Sequence, residues 1–137
     1  MTKGEIAKKY YEMGYNCAES ILRAGNEYYQ LGLNDHDMIM VAAFGGGMQV
    51  GDICGCITGA CCILSSKYVQ TKAHDCADLR KLTQRLVIAM QKALDSRHCC
   101  EIKVNLLSKE KGCLKTVLAS ADIIQQVFEE WDNEFKN

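Results

Sequence analysis

The sequence predicts an all-α protein: one domain, built as a helical bundle of about five helices with a Gly-rich loop before a Cys-bearing helix. Three observations support this prediction. The 137-residue chain contains no proline. Outside one glycine-rich stretch, apolar residues recur at steps of three and four, as on one face of a helix. A hydrophobic content of 48% and a formal net charge of -1 fit one ordinary core, so we assign residues 1–137 to a single domain.

The first helical stripe belongs to one N-terminal helix, kinked at Gly14, with Asn16 capping the continuation. A short helix then leads to the glycine-rich stretch, and either Asn34 or Asp35 is its N-cap. The residues of the first stripe are Ile6, Tyr10, Met13, Cys17, Ile21, Ala24 and Tyr28.

The glycine-rich stretch, residues 44–60, reads FGGGMQVGDICGCITGA and is predicted to be a loop that enters a helix. Its glycines permit backbone conformations with positive φ, and the side chain of Asp52 can cap the apolar run that follows. Cys54 would then lie in the first turn, where free N–H groups and the helix dipole favour a thiolate. This makes Cys54 the candidate catalytic thiol. The alternative is a turn between two helices, with Cys54 as a small packing residue.

The second half of the chain carries three more helical patterns. The helix after the glycine loop is predicted to end near Val69. A long amphipathic helix follows from Leu79 to about Ser96, with Thr71 or Asp75 as its cap. The last helix spans residues 114–135 and carries the largest apolar surface, so we expect it to close the bundle.

Cysteine is the compositional outlier, with nine in the chain. An odd number cannot pair completely, and the spacings match neither a zinc ribbon nor a bacterial ferredoxin. A shared metal or redox site would therefore be assembled from distant segments. One of these is the connection 96–113, predicted as a loop with one helical turn that brings Cys99 or Cys100, and Cys113, to helix ends. The remaining cysteines are interpreted as packing or incidental residues: Cys61, Cys62 and Cys76.

The charge pattern and the motifs argue against several classes of function. Charges of both signs are interspersed, so we expect no nucleic-acid binding. No apolar run approaches the length of a membrane span, and the N-terminus lacks the apolar core of a signal peptide, so we expect a cytoplasmic protein that is not membrane-embedded. Hydrolase triads and nucleotide-binding loops are also absent from the sequence.

Several motifs together resemble the C_GCAxxG_C_C family of redox-active proteins over nearly the whole chain. They are Asn16-Cys17-Ala18, Phe44-Gly45-Gly46-Gly47-Met48, the pattern Gly-x-x-Cys-Gly-x-x-x-Gly-Ala from Gly51 to Ala60, Lys67-Tyr68, and two later cysteines. The resemblance implies that Cys17, Cys54, Cys100 and Cys113 form the redox or metal-binding set. Cys100 is preferred to Cys99 because Cys100-Glu101-Ile102 is similar to the family pattern. Cys56 stands where the family usually has alanine, and we favour packing over a second active thiol there.

Three chemistries fit these four cysteines. The resemblance extends to a domain of split-Soret cytochromes, which implies an iron–sulfur cluster used in electron transfer. A metal-free thiol/disulfide relay, with Cys54 as the attacking thiolate, is the second. Structural zinc is the third. Whether the protein is an enzyme, in that case an oxidoreductase, and which redox partner it serves both stay open.

A different class of function also stays open, that of a helical interaction module. Its cysteines would be packing residues. Because family members often sit beside transporter genes, its partner would be a membrane transporter, and the module could be a homodimer.

Overall fold

The computed structural model describes residues 1–106 and 112–135, except for the side chains of residues 104–106. Within these ranges the structure is all-α, as predicted, and has no β-strand. The described part contains seven α-helices, two more than predicted. They are α1 (Lys3–Glu12), α2 (Cys17–Tyr29), α3 (Asp35–Met38), α4 (Gly55–Tyr68), α5 (Leu79–Leu94), α6 (Cys99–Leu106) and α7 (Leu114–Phe135).

The first additional helix arises because the N-terminal stripe is divided into α1 and α2. Gly14 has a φ of +101°, which ends α1 and turns the chain. Asn16 then caps α2: its side chain accepts from the backbone N–H of Glu19, whose carboxylate accepts from the N–H of Asn16. The predicted recapping at Asn16 is therefore present, and it starts a separate helix rather than continuing a kinked one.

The second additional helix is α6, in the connection that was predicted to hold only one helical turn. It has eight residues, from Cys99 to Leu106, and Ser96 organises its start. The Ser96 hydroxyl accepts from the backbone N–H of His98 and donates to the carboxylate of Glu101. The part of the predicted loop at residues 107–111 lies outside the described residues.

An irregular segment joins α3 to α4 and contains the glycine loop. The Asn34 side chain forms a capping box with Asp37 at the start of α3, which decides between the two predicted caps. A 3-10 helix covers Ile39–Phe44, and a tight turn follows at Gly47–Gly51. Within that turn Met48 and Gln49 have positive φ values of 57° and 64°. The prediction of a glycine loop before a cysteine-bearing helix is thus confirmed.

The core lies between α2, α4, α5 and α7, and it holds α2 and α4 side by side. Its fully buried side chains include Ile21, Leu64, Leu86, Val117 and Phe128. Removing large side chains such as these from water supplies the main stabilisation of the bundle. The pairing of α2 with α4 brings the beginnings of two cysteine-bearing helices together.

Helix α5 begins at Leu79 as predicted, but its predicted cap was wrong. Its N-cap is Asp78, and neither Thr71 nor Asp75 occupies that position. These two residues hydrogen-bond each other instead, with 2.8 Å between the Thr71 hydroxyl and the Asp75 carboxylate. Among the described helices, none combines the length and the apolar character needed to cross a membrane.

Candidate functional site

Three buried cysteines meet at the beginnings of α2 and α4. Cys17 is the first residue of α2, Cys54 is the N-cap of α4, and Cys56 lies in the first turn of α4. Gly55 makes the close approach possible, because a β-carbon placed on it would lie 2.6 Å from the Cys17 sulfur. We call Cys17, Cys54 and Cys56 the thiol cluster.

Cys56 is the hydrogen-bond donor at the centre of the thiol cluster. Hydrogen bonding to Cys17 and Cys54, together with complete burial, raises the pKa of Cys56, which therefore keeps its proton. In turn, hydrogen bonding from Cys56 lowers the pKa of Cys17 to about 6 and also lowers the pKa of Cys54. A thiol has one proton, so Cys56 can donate to only one of the two sulfurs at a time. Their ionisations are therefore linked.

Backbone N–H groups add to the stabilisation of both thiolates. The N–H groups of Gly46, Ala18 and Cys17 itself help to lower the pKa of Cys17. Those of Cys56 and Ile57 help to lower the pKa of Cys54. Most of these donors lie in the first turns of α2 and α4, where N–H groups lack partners inside the helix, whereas Gly46 belongs to the glycine loop. A negatively charged sulfur satisfies some of them.

Asp52 does not cap α4, and that prediction was wrong. The N-cap is Cys54, and the Asp52 carboxylate lies instead 3.4 Å from Nδ1 of His98. Main-chain bonds reinforce this connection: Cys54 N donates to Arg97 O at 2.7 Å, and Cys99 N donates to Asp52 O at 2.6 Å. The carbonyl and the carboxylate of Asp52 thus both face the segment that begins α6.

This connection decides which downstream cysteine faces the thiol cluster. Cys99 is buried, and its β-carbon lies 2.8 Å from the position that a β-carbon on Gly47 would occupy. Burial raises the pKa of Cys99, with smaller contributions from the charges of Cys54 and Cys17. Cys100 is exposed and lies beside Gly51 instead.

Cys113 approaches the same region from the start of α7. It is half-buried, and its backbone N–H donates to the hydroxyl of Tyr11 at 2.8 Å. Burial raises the pKa of Cys113, and the charge on Cys17 raises it further. Of the four cysteines predicted to form a shared site, the structure therefore brings together Cys17, Cys54 and Cys113, with Cys99 rather than Cys100 beside them.

An open cavity of about 370 Å³ gives access to this group of thiols. Cys17, Cys99 and Cys113 line it from three separate segments of the chain. The positive charge of Lys103 partly offsets the effect of burial on the pKa of Cys99 and of Cys113. The rest of the lining consists of Tyr11, Gly14, Tyr15, Asn16 and Gly46.

The three remaining cysteines, interpreted above as packing or incidental residues, do not line this cavity. Burial raises the pKa of Cys61 to about 11 and also raises that of Cys62. The thiol of Cys76 points to the backbone oxygen of Tyr68 at 3.8 Å. Cys61 and Cys62 therefore stay protonated, and unreactive, at neutral pH.

Sequence reasoning missed four residues of the site. For Cys56 a signal existed, the Cys54-x-Cys56 spacing, but the interpretation as packing was preferred. Cys99 was set aside in favour of its neighbour. Tyr11 and Lys103 carried no local signal, because the fold alone brings Tyr11 next to Cys113, 102 positions away.

The site was also compared with the requirements of a metal or an iron–sulfur cluster. Such centres prefer thiolate ligands, so the cysteines of this site are the right type of ligand. Among the described residues, however, no three His, Cys, Asp or Glu side chains are already arranged as ligands of one ion. The chemistry of the donors therefore fits, and the arrangement is not preformed.

The all-α fold gathers several thiols at one site, two of them with lowered pKa values, as a cysteine-based redox-active protein requires. The family model described as "Putative redox-active protein (C_GCAxxG_C_C)" matches residues 15–127, and the chain belongs to this family. The resemblance seen in the sequence is thereby confirmed. A search of curated proteins and a search of solved structures each found no match.

Proposed function

We propose that this protein is a metal-free thiol/disulfide redox protein in which Cys17 is the attacking thiolate. One observation carries the proposal: Cys17 both lines the open cavity and belongs to the thiol cluster. It can therefore meet a substrate on one side and a second thiol of its own chain on the other. Its pKa of about 6 keeps it largely ionised at neutral pH.

In the first step, the Cys17 thiolate attacks one sulfur of a substrate disulfide. A new sulfur–sulfur bond forms between Cys17 and that sulfur, and the substrate bond breaks. The second substrate sulfur leaves as a thiolate and takes the electron pair. Cys17 is then neutral.

In the second step, Cys56 resolves the mixed disulfide. The loss of charge on Cys17 removes the repulsion that raises the pKa of Cys54, so Cys54 gives its proton to the substrate thiolate that has left and then accepts the proton of Cys56. The Cys56 sulfur attacks Cys17, and the first substrate sulfur leaves as a thiolate. The substrate disulfide has gained two electrons, and the chain holds a Cys17–Cys56 disulfide. The reverse sequence would oxidise a dithiol.

An iron–sulfur cluster is the second candidate. It is favoured by the convergence of Cys17, Cys99 and Cys113 on one cavity and by backbone N–H groups directed at the sulfurs. Cys17, Cys54, Cys99 and Cys113 would hold it, with Cys100 as the alternative to Cys99. When bound, a cluster supplies one-electron transfer. The cysteines would act as ligands, and the N–H donors would adjust the reduction potential.

The test begins with anaerobic purification from iron-supplied cells, followed by assays of iron and acid-labile sulfide. The metal-free protein is then equilibrated in thiol/disulfide buffers, and its disulfides are identified by mass spectrometry. We expect a reversible Cys17–Cys56 disulfide that is lost in Cys17→Ser and Cys56→Ser and retained in Cys61→Ala. Stoichiometric iron and sulfide that disappear in Cys17→Ser, Cys54→Ser and Cys113→Ser would overturn the relay in favour of the cluster.

A further inference from the structure

We propose that the substrate is a small disulfide that carries negative charge, and that Lys103 selects it. This inference rests on the proposed function and adds the chemical class of the substrate. Carboxylate-bearing disulfides of low molecular weight belong to this class. Three features favour such a substrate: the depth of Cys17, the size of the cavity and the charge at its edge.

The position of Cys17 favours a small molecule over a folded protein. Only 8% of Cys17 is exposed, and Cys17 is one of the residues that line the cavity of about 370 Å³. This volume falls within the range of about 300–1,000 Å³ that is usual for small-ligand sites. A narrow disulfide can enter such a space, whereas a disulfide on a protein surface would have to project deeply from its own fold. The tyrosines Tyr11 and Tyr15 provide polar and apolar wall surface.

The charge at the cavity favours an anion. Among the described lining residues, Lys103 is the one that carries a fixed positive charge, and no acidic side chain is among them. Lys103 is exposed, and its charge partly offsets the rise in the pKa of Cys99 and Cys113. It therefore offsets the repulsion between the Cys17 thiolate and an anionic substrate.

The experiment compares three disulfides of different charge: oxidised glutathione, which is anionic, bis(2-hydroxyethyl) disulfide, which is neutral, and cystamine, which is cationic. Each rate is divided by the rate of the same disulfide with free 2-mercaptoethanol, because the leaving thiols differ in pKa. The rate of mixed-disulfide formation at Cys17 is measured by quenching and mass spectrometry at low and high salt. We expect oxidised glutathione to react fastest, and Lys103→Ala to slow it by roughly tenfold at low ionic strength while leaving the neutral disulfide unchanged. Lys103→Arg should keep the preference. Lys92→Ala, which removes an exposed lysine outside this cavity, is the matched control.

The possible failures are distinguishable. Equal rates for the three disulfides in the wild type, or an equal effect of Lys92→Ala and Lys103→Ala, would overturn the role of Lys103. If none of the three reacts although iodoacetamide alkylates Cys17, the small-disulfide substrate is wrong. In either case a reversible Cys17–Cys56 disulfide in the buffer titration would leave the proposed function standing. Its absence would remove both.

Discussion

The sulfur of Cys17 occupies the space beside Gly55, only 2.6 Å from the position that a β-carbon on Gly55 would take. The same imagined carbon would lie 3.1 Å from the backbone oxygen of Phe44. Position 55 therefore accommodates glycine because two other segments fill the volume of a side chain. Gly55 links the redox chemistry of the site directly to the packing of α2 against α4.

Gly55→Ala should destabilise the protein by about 1–3 kcal/mol, the usual cost of overpacking, even though alanine is the better helix former. It should also displace Cys17 and raise the pKa of Cys17, because the hydrogen bonds that lower this pKa depend on the close approach. Urea unfolding and the pH dependence of alkylation measure the two effects. Gly4→Ala is the control, since its β-carbon would meet nothing closer than 3.8 Å and should leave both properties near the wild type. Equal stability of the two variants would contradict the packing argument.

Cys56 should determine the acidity of Cys17 through its hydrogen bond. Cys56→Ala removes the donor, so the apparent pKa of Cys17 should rise from about 6 towards the value near 8.5 of a free cysteine. Cys56→Ser restores a donor of similar size and should bring the pKa down again. Iodoacetamide rates at Cys17 between pH 5 and 9, read by peptide mass spectrometry, report the pKa. A hydrogen-bond role is excluded if the serine and alanine variants titrate alike.

The lowered pKa of Cys17 should add stability to the reduced protein as the pH rises from 6 to 8, before the buried thiols with a raised pKa begin to oppose it. The folded state loses this proton near pH 6, whereas the unfolded chain holds it until the ordinary cysteine pKa near 8.5. The stabilisation is therefore complete above the unfolded pKa and is lost as the pH falls through the folded one. The slope cannot exceed about 1.4 kcal/mol per pH unit for one proton. Urea unfolding of the reduced protein at several pH values measures it, and Cys17→Ser should flatten the curve. If the free energy of unfolding depends on pH equally in Cys17→Ser and in the wild type, the dependence comes from other groups.

The periodicity of apolar residues predicted the helices well where they pack on the core. The last helix, α7, covers the predicted residues 114–135, and α4 ends at Tyr68, next to the predicted Val69. Helix α7 carries a stripe that is buried against its neighbours, whereas the first turns of α4 are buried on almost every side, so its apolar run rather than a stripe reflects the packing.

The site was less predictable because its key contacts are made between distant segments. Asp52 has the side chain of a good N-cap, yet its carbonyl binds Cys99 N and its carboxylate faces His98. The local sequence around Asp52 does not indicate these partners, because they lie more than 40 residues away. The same holds for the choice between Cys99 and Cys100, since adjacent positions on α6 point to different sides and only the docking of α6 decides which side is buried.

Gly47 should control whether Cys99 stays buried beside the thiol cluster. A β-carbon on Gly47 would lie 2.8 Å from the β-carbon of Cys99 and 2.5 Å from the backbone of Asp52, so Gly47→Ala should push the start of α6 away. Gly32→Ala is the matched control, because Gly32 also has a positive φ, +77° against +61°, but has no atom within 4 Å of a new β-carbon. In both variants, a left-handed alanine should lower the free energy of unfolding by about 1–2 kcal/mol, and only Gly47→Ala adds the steric conflict.

Native-state labelling with a bulky maleimide, followed by peptide mapping, measures this effect. Cys100 is exposed and should label quickly in all variants, which provides an internal reference. Cys99 is 5% exposed and should be protected in the wild type and in Gly32→Ala. In Gly47→Ala its labelling should approach that of Cys100, because the buried position depends on the bare backbone at residue 47. Rapid labelling of Cys99 in the wild type, or unchanged protection in Gly47→Ala, would show that α6 is not held against the glycine loop in this way.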